Sequence, residues 1–217
     1  DKNKEVSEFE EKIQALPINE TSKNKLLDEL KRYSYTNDAN PDSSVIRNYL
    51  QTVVSLPWGV LSEDETDLKK VKKHMDLKHF GLEEVKTRIL EFLAIKKNNP
   101  DINAPIICLV GPPGVGKTTF GMSLSEALNR KFYKISVGGL NDASELVGHK
   151  RTYLGSSPGK IIQGLKKCGT QNPVILIDEI DKMVCDYKGD PASILLDILD
   201  QNQNHTFIDN YIEEPFD

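Results

Sequence analysis

A glycine-rich string in the middle of the chain has the residue types of a phosphate-binding loop. It fits the pattern G-x-x-x-x-G-K-[ST] throughout and consists of Gly111, Pro112, Pro113, Gly114, Val115, Gly116, Lys117, Thr118 and Thr119. Glycines let the backbone curl so that N–H groups point at phosphate oxygens, and a following helix directs its positive end at the same anions. Lys117 would supply charge to the β- and γ-phosphates, and Thr118 a hydroxyl to Mg²⁺. The alternative is a chance match.

A second string, 174–179, runs from four apolar residues into the carboxylates of Asp178 and Glu179. Ligands of open α/β sheets bind at the carboxyl ends of the strands, so both acids are expected beside the phosphate loop. We expect Asp178 to hold Mg²⁺, mainly through water, and Glu179 to orient and polarise an attacking water molecule. The alternative is a pair of helix-capping acids after a buried strand. For Asp181, a plain first-turn helix acid is favoured over a role in orienting the site.

The elements that would position these residues alternate between strand and helix from Ala104 onward. Apolar runs bounded by turn residues predict strands over 106–110, 132–137 and 174–177. Helical patterns lie between and after them, over 117–129, 158–168 and 191–200, and a short hairpin arm is expected over 207–212. Such alternation predicts an α/β fold with a parallel sheet and helices on both faces.

An all-α helical region is expected to precede the sheet. Its third helix should be capped by Ser43 or Ser44, and Ser62 with Glu65 should form a capping box for a helix through His74. Another amphipathic helix is predicted over 82–97. The domain boundaries predicted are a helical region over 1–62, a linker with its helix over 63–103 and the α/β core over 104–217.

Composition restricts the class of protein. The 217 residues carry a net charge of −5, which gives no sign of a protein that works by gripping nucleic-acid phosphates. No apolar run is long enough to span a bilayer, and the first residues lack the apolar stretch of a signal peptide. The cysteines are scattered and predict reduced thiols in a cytosol-like compartment, with Cys108 a buried small hydrophobe.

The phosphate loop with the string 178–182 resembles the AAA+ ATPases, and longer strings resemble the Lon family of ATP-dependent serine proteases. These strings are 45–50 (VIRNYL), 56–59 (LPWG), 79–82 (HFGL), 148–159 (GHKRTYLGSSPG), 189–193 (GDPAS) and 195–200 (LLDILD). The resemblance covers nearly the whole chain. Two details differ from the family pattern, the loop 35–42 and the string 200–204, which lacks the usual proline.

The resemblance implies ATP with Mg²⁺ as ligands and protein chains as substrates, handled by a homo-oligomer, with a hexameric ring in the full-length protein. Tyr153 and Leu154 match the aromatic-hydrophobic pair of the first pore loop, which grips an extended polypeptide; the alternative is a tyrosine buried under the loop. The region 183–189 corresponds to the second pore loop, or to an ordinary surface loop. His79, Phe80 and Gly81 match the linker that wraps the adenine, although Phe80 could be a core residue.

The resemblance also implies parts that this chain does not show. The polar sensor strand, the arginine finger, the helical lid and the serine-lysine dyad are expected beyond Asp217. The leading hypothesis is an ATP-driven unfoldase feeding an attached protease in the cytoplasm, or alternatively in the mitochondrial matrix, without a membrane partner. One alternative is a nucleotide-binding assembly module with little hydrolysis. Another is an AAA+ remodeller of nucleic acid; DNA binding is possible but not indicated.

Overall fold

The computed structural model describes residues 1–183 and 190–217. In this part the helices are α1 (Lys2–Ala15), α2 (Glu20–Tyr35), α3 (Pro41–Ser55), α4 (Leu68–Lys78), α5 (Glu83–Asn98), α6 (Lys117–Ala127), α7 (Ser144–Val147), α8 (Lys160–Cys168) and α9 (Pro191–Leu199). The strands are β1 (Phe132–Ser136) and β2 (Val174–Asp178), and short 3₁₀ turns occupy Ile180–Lys182 and Asn204–Thr206. Apart from Met183, the predicted second pore loop lies outside the described residues.

β1 and β2 form a parallel pair in which Phe132 lies opposite Val174. Successive side chains of a strand point to opposite faces of a sheet. On one face the Phe132 ring lies against Gly121 of α6, and on the other the Tyr133 ring lies against Gly164 of α8. In both places the missing side chain lets the helix approach the strand closely. Helices therefore cover both faces of the sheet, and the predicted fold class is confirmed.

Two apolar clusters lie on these two faces. The α6 face holds a cluster whose buried members are Val71, Met75, Ile89, Leu93, Phe120, Ala127 and Leu128. The α8 face continues into a larger cluster that also contains the apolar sides of α1, α2 and α3. The hydroxyl of Tyr49 in α3 donates to the carbonyl of Ile212 at 2.7 Å, and the rings of Trp58 and Phe216 are 4.6 Å apart. The helical region and the sheet thus share one core.

Two predicted helix caps are wrong. α3 begins at Pro41, and the Asn40 side chain caps it by accepting from the N–H of Asp42 at 3.0 Å. Proline suits the first helical position because its missing N–H would have no partner there. α4 begins after Asp67, whose carboxylate accepts from the next turn, and Ser62 and Glu65 form no capping box for it. In both cases the cap is the Asn or Asp immediately before the first helical residue: Asn40 precedes Pro41, and Asp67 precedes Leu68.

The segment before α4 is clamped to the turn between α8 and β2. The Gln171 side chain accepts from the N–H of Gly59 at 3.0 Å, and its backbone N–H donates to Val60 at 2.7 Å. The Asn172 amide exchanges two bonds with the backbone of Ser62, at 2.8 and 2.9 Å. The segment Gly59–Ser62 is therefore a strap that is hydrogen-bonded to the turn before β2. The sequence did not indicate this contact.

The first predicted strand, over 106–110, is wrong. These residues pair with neither described strand; Ile106, Ile107 and Val110 are exposed, and Cys108, predicted to be buried, is exposed as well. An apolar run indicates that a segment can be buried, but it does not supply the neighbouring backbone whose hydrogen bonds make a strand. The strands over 132–137 and 174–177 are confirmed within one residue.

The predicted hairpin arm over 207–212 is closed by residues further along the chain. One antiparallel bridge joins Ile208 to Pro215, and the N–H of Phe216 donates to the carbonyl of Phe207 at 2.9 Å. The turn between them buries Ile212 in the shared core.

No described helix has the length and apolar character needed to cross a membrane.

Asp64, two residues after the strap, should contribute to stability in a pH-dependent way. The Arg130 guanidinium donates to both of its oxygens, at 2.6 and 2.7 Å, and Lys96 donates at 3.1 Å. Burial opposes ionisation, but these bonds outweigh it and lower the pKa of Asp64 below its ordinary value of 3.8. Because the folded pKa is depressed, the stabilisation is present above the ordinary pKa and disappears as the pH falls through the depressed one.

We therefore expect Asp64→Asn to lower the free energy of unfolding by about 2 kcal/mol near neutral pH. The deficit should shrink as the pH falls from about 5 to about 2. Urea unfolding followed by circular dichroism measures both. Glu63→Gln, a change at the exposed neighbouring acid, is the control and should be neutral. A deficit that is constant over the whole pH range would contradict the charge-assisted pairing.

Candidate active site

The phosphate-binding string forms a loop with two glycines in the left-handed region. Gly114 has φ of 82° and Gly116 has φ of 88°, backbone conformations that residues with a Cβ rarely adopt. A Cβ at either glycine would meet no atom within 4 Å, so the requirement is conformational and the inner space of the loop is open. α6 starts at the next residue, Lys117, and no side chain caps its amino end. Its first N–H groups thus have room to bind an anion.

Lys117 carries the positive charge of this loop. Its ammonium group donates to the carbonyl of Gly111, at the start of the loop, at 2.8 Å. Within the described part of the chain it forms no ion pair with a carboxylate. A half-buried cation held only by a neutral carbonyl can exchange that partner for an anion at little cost. The loop therefore fits the phosphate group that its sequence predicts.

A cleft of about 620 Å³ opens beside the loop. It is lined by the segment Pro105–Val110, by residues of α5 and of the turn before it, and by four residues at the start of α6 and just before it: Val115, Gly116, Lys117 and Phe120. The exposed apolar segment over 106–110 therefore lines this cleft. A cleft lined by apolar side chains together with the cations of Arg88 and Lys117 suits a ligand with a flat apolar part and an anionic part.

Of the predicted adenine contacts His79, Phe80 and Gly81, the first two line this cleft. The His79 ring shares a hydrogen bond with the hydroxyl of Ser123 at 3.1 Å and packs edge-on against Phe120. The Phe80 ring is fully exposed, so the alternative of a core phenylalanine is wrong. Gly81 has φ of 78°, which turns the chain at this point. The adenine contact itself stays a prediction.

Asp178 ends β2 and Glu179 follows it, as predicted. The contacts of both acids are with β1 and with the 3₁₀ turn after β2. The Asp178 carboxylate lies 3.4 Å from the ammonium of Lys134 on β1. Glu179 accepts from the hydroxyl of Ser136 at 3.1 Å and pairs with Lys182 at 3.3 Å. Neither acid caps the 3₁₀ turn that follows, so the helix-capping alternative is wrong.

The residues that line the cleft include neither of these acids. Asp181 lies exposed in the first turn of the 3₁₀ segment, in keeping with the plain alternative.

Tyr153 and Leu154 project from the loop between α7 and α8. Tyr153 is 62% exposed and Leu154 fully exposed, so the alternative of a buried tyrosine is wrong. Two tight turns shape the loop tip, with Tyr153 donating to Lys150 at 3.0 Å and Ser156 donating to Tyr153 at 3.1 Å. The exposed pair thus stands on a short, turn-closed tip, which suits contact with another chain.

Asp209 joins the two ends of this loop. Its side chain is fully buried and accepts from the N–H groups of Gly159, Tyr211 and Ile212 at 2.7–3.1 Å. A Cβ on Gly148 would come within 2.6 Å of its carboxylate, so the other end of the loop also lies against it. Burial raises the pKa of Asp209, and the backbone bonds oppose that rise.

The chain is similar in sequence to proteins of one kind. Residues 107–211 match the ATPase family associated with various cellular activities (AAA). A Lon protease from Clostridioides difficile (strain 630) is 52% identical over 217 residues, which is 100% of this chain and 28% of that protein. Lon protease 1 from Bacillus subtilis (strain 168) is 50% identical over 216 residues, covering 100% of this chain and 28% of the relative.

A Lon protease from Rickettsia prowazekii (strain Madrid E) is 47% identical over 213 residues, 98% of this chain and 27% of the relative. The chain belongs to the Lon family of AAA ATPases. It spans little more than a quarter of the length of the curated relatives it matches. As a segment of a Lon-family AAA ATPase, it contains a nucleotide-binding domain.

Sequence reasoning missed three residues of this Lon segment that contact the paired acids. These are Lys134, Ser136 and Gly138; a Cβ on Gly138 would come within 2.6 Å of a Glu179 carboxylate oxygen. A usable signal existed, because the carboxyl ends of neighbouring parallel strands share one edge. Residues near the end of the strand over 132–137 are therefore expected to lie close to Asp178 and Glu179.

Lys117 provides a direct test of the cleft. We expect Lys117→Ala to weaken Mg²⁺-nucleotide binding at least tenfold, since a charge-assisted contact to phosphate contributes more than about 1.4 kcal/mol. Calorimetric titration of the folded protein measures the dissociation constant. Lys167→Ala, a change at an exposed lysine in the last turn of α8, is the matched control and should bind normally. Equal affinity of wild type and Lys117→Ala would exclude the loop as the phosphate site.

Proposed function

We propose that this chain is the ATP-binding and ATP-hydrolysing motor segment of a Lon-type protease, which unfolds protein substrates and moves them toward degradation. The observation that carries the proposal is Lys117, a cation without a carboxylate partner in the described chain, which follows a loop with left-handed glycines and lines an open cleft. The names of the relatives, Lon protease, support the same activity.

The triphosphate would lie in the loop Gly111–Thr119. There Lys117 gives up the Gly111 carbonyl for phosphate oxygens, and the first N–H groups of α6 bind beside it. The adenine would lie among the apolar side chains that line the cleft, against Phe80 and the turn at Gly81. The exposure of the Phe80 ring in the cleft supports this contact.

The residues present also suit Mg²⁺. Thr118 offers a half-buried hydroxyl in the first turn of α6, and Asp178 offers a carboxylate at the end of β2, the strand against which α6 packs at Gly121. Both are oxygen ligands of the kind that Mg²⁺ prefers. When bound there, the ion would neutralise negative charge on the phosphate oxygens. Asp178 would then exchange its pairing with Lys134 for that role.

Glu179 would act on the attacking water molecule. Its carboxylate is held by the Ser136 hydroxyl and by Lys182, and 40% of the side chain is exposed, so a water molecule can reach it. An ionised carboxylate can orient that water and accept its proton as the oxygen attacks the γ-phosphate. Its backbone has φ of 62°, a conformation that glutamate rarely adopts and that is typical of functional sites.

The exposed pair Tyr153 and Leu154 would grip the substrate. An aromatic ring beside an aliphatic side chain can hold any polypeptide through apolar contact without reading its sequence. The grip requires several copies around a pore, so we propose a homo-oligomeric, hexameric ring in the full-length protein. Unfolded or damaged proteins are the proposed substrates. The free thiols of Cys108 and Cys168 support a reducing compartment, which we propose to be the cytoplasm.

Glu179→Gln in the full-length protein separates binding from hydrolysis. We expect ATP affinity to stay within a few-fold while multiple-turnover phosphate release falls roughly 100-fold or more, the usual contribution of a general base. Normal turnover in this variant would remove Glu179 from the mechanism. Negligible release by the wild type itself would favour a nucleotide-binding assembly module, and salt-dependent DNA binding would favour a nucleic-acid remodeller.

Tyr153→Ala tests the grip. We expect degradation of a folded protein to fall at least tenfold, because the aromatic contact transmits the pull, while ATP hydrolysis without substrate stays within about twofold. Gel-based degradation and phosphate release measure the two rates. The control is Tyr35→Ala, which removes a tyrosine that is 80% exposed at the end of α2. If Tyr153→Ala degraded the folded protein at the wild-type rate, the gripping role would be lost.

A further inference from the structure

Arg151 lies two residues before the exposed Tyr153 and reaches away from the loop tip into the protein. Its side chain is only 21% exposed. Its guanidinium carbon lies 3.8 Å from the centre of the Tyr49 ring in α3, a stacked cation–π contact. The residue thus belongs to the gripping loop by sequence and to the helical region by contact.

Two carboxylates from different parts of the chain meet the same guanidinium. Glu213, in the carboxyl-terminal turn, lies 2.7 Å from one terminal nitrogen, and Glu29 of α2 lies 3.3 Å from the other. The Glu29 oxygen in this ion pair and the Arg151 Nε are buried and form no hydrogen bond, so Glu29 acts on the guanidinium through its charge. Arg151 and Glu29 are each only about a fifth exposed, so each is less stable without the opposite charge, whereas Glu213 is 46% exposed and solvent weakens its pairing.

The loop is connected to this contact through its backbone. The Ser156 hydroxyl donates to the carbonyl of Arg151 at 3.4 Å, and the turn at Lys150 and Tyr153 follows at once. A shift of the Arg151 backbone would therefore disturb the turn that carries Tyr153. Asp209 holds the two ends of the loop. Arg151 connects the tip of the loop to Glu29 in α2 and to Tyr49 in α3.

We propose that Arg151 is a positioning residue that anchors the gripping loop to the helical region of α2 and α3. The pull of Tyr153 and Leu154 on a polypeptide is then borne by those helices as well as by the sheet. The planar guanidinium suits this task because it can stack on a ring and pair with two carboxylates together. The inference rests on the proposed gripping function and adds the element that resists the load.

The test compares Arg151→Ala with Lys150→Ala, a change at the exposed neighbouring cation, in the full-length protein. The deciding quantity is the number of ATP molecules hydrolysed per substrate molecule degraded. A preparation that is partly misfolded lowers both rates equally and leaves this ratio unchanged, whereas a slipping grip raises it. We expect Arg151→Ala to raise the ratio roughly fivefold or more for a folded substrate and less than about twofold for the same substrate unfolded.

Hydrogen exchange provides a readout that does not depend on substrate gripping. We expect the amides over 150–157 to exchange at least roughly tenfold faster in Arg151→Ala than in Lys150→Ala, because the anchor limits opening of the tip. If Arg151→Ala fails to fold, Glu29→Gln should give smaller changes in the same direction, since it keeps the Tyr49 and Glu213 contacts.

The outcomes distinguish this inference from the proposed function. Unchanged exchange and an unchanged ATP ratio in Arg151→Ala, or in Glu29→Gln if the alanine variant does not fold, would overturn the anchor even if Tyr153→Ala abolishes degradation. Faster exchange beside normal degradation by Tyr153→Ala would instead leave the anchor in place and remove the grip.

Discussion

The carboxylate of Asp209 is the contact on which the geometry of the projecting loop depends. It is fully buried, accepts three backbone N–H groups and lies against Gly148, so both ends of the loop over 148–159 meet on one side chain. Two of its donors, Tyr211 and Ile212, belong to the carboxyl-terminal turn. The Tyr49 hydroxyl donates to the carbonyl of Ile212 and so connects that turn to α3. A buried acid of this kind is stable only while its hydrogen bonds are complete, so loop, turn and helix are fixed together.

The sequence predicted those features that a short stretch of residues determines. The left-handed glycines of the phosphate loop, the start of α6 at Lys117 and the strand that ends at Asp178 all follow from local residue types. The exposed pair at Tyr153 follows from the resemblance to a family, since nothing in its spacing alone indicates a projecting tip. In each of these cases the information lies within a few residues.

The errors have the opposite origin. The segment over 106–110 has the apolar residues of a strand, yet strand formation depends on a hydrogen-bonding neighbour, which local sequence does not reveal. The contacts of Glu179 with Ser136, of Asp178 with Lys134 and of Arg151 with Glu29 join residues far apart in the chain. Sequence spacing predicts that Asp178 and Glu179 lie at the edge of the sheet, but it does not predict which side chains they contact there.

The strap at Gly59–Ser62 has a consequence for motion. Four hydrogen bonds hold it to Gln171 and Asn172, immediately before the strand that carries Asp178. At a net contribution near 0.7 kcal/mol each, releasing all four costs roughly 3 kcal/mol, so fewer than about 1% of molecules would have the strap detached at any moment. Because the strap follows α3 in the chain and stays attached, a displacement of that strand should also displace the end of the helical region.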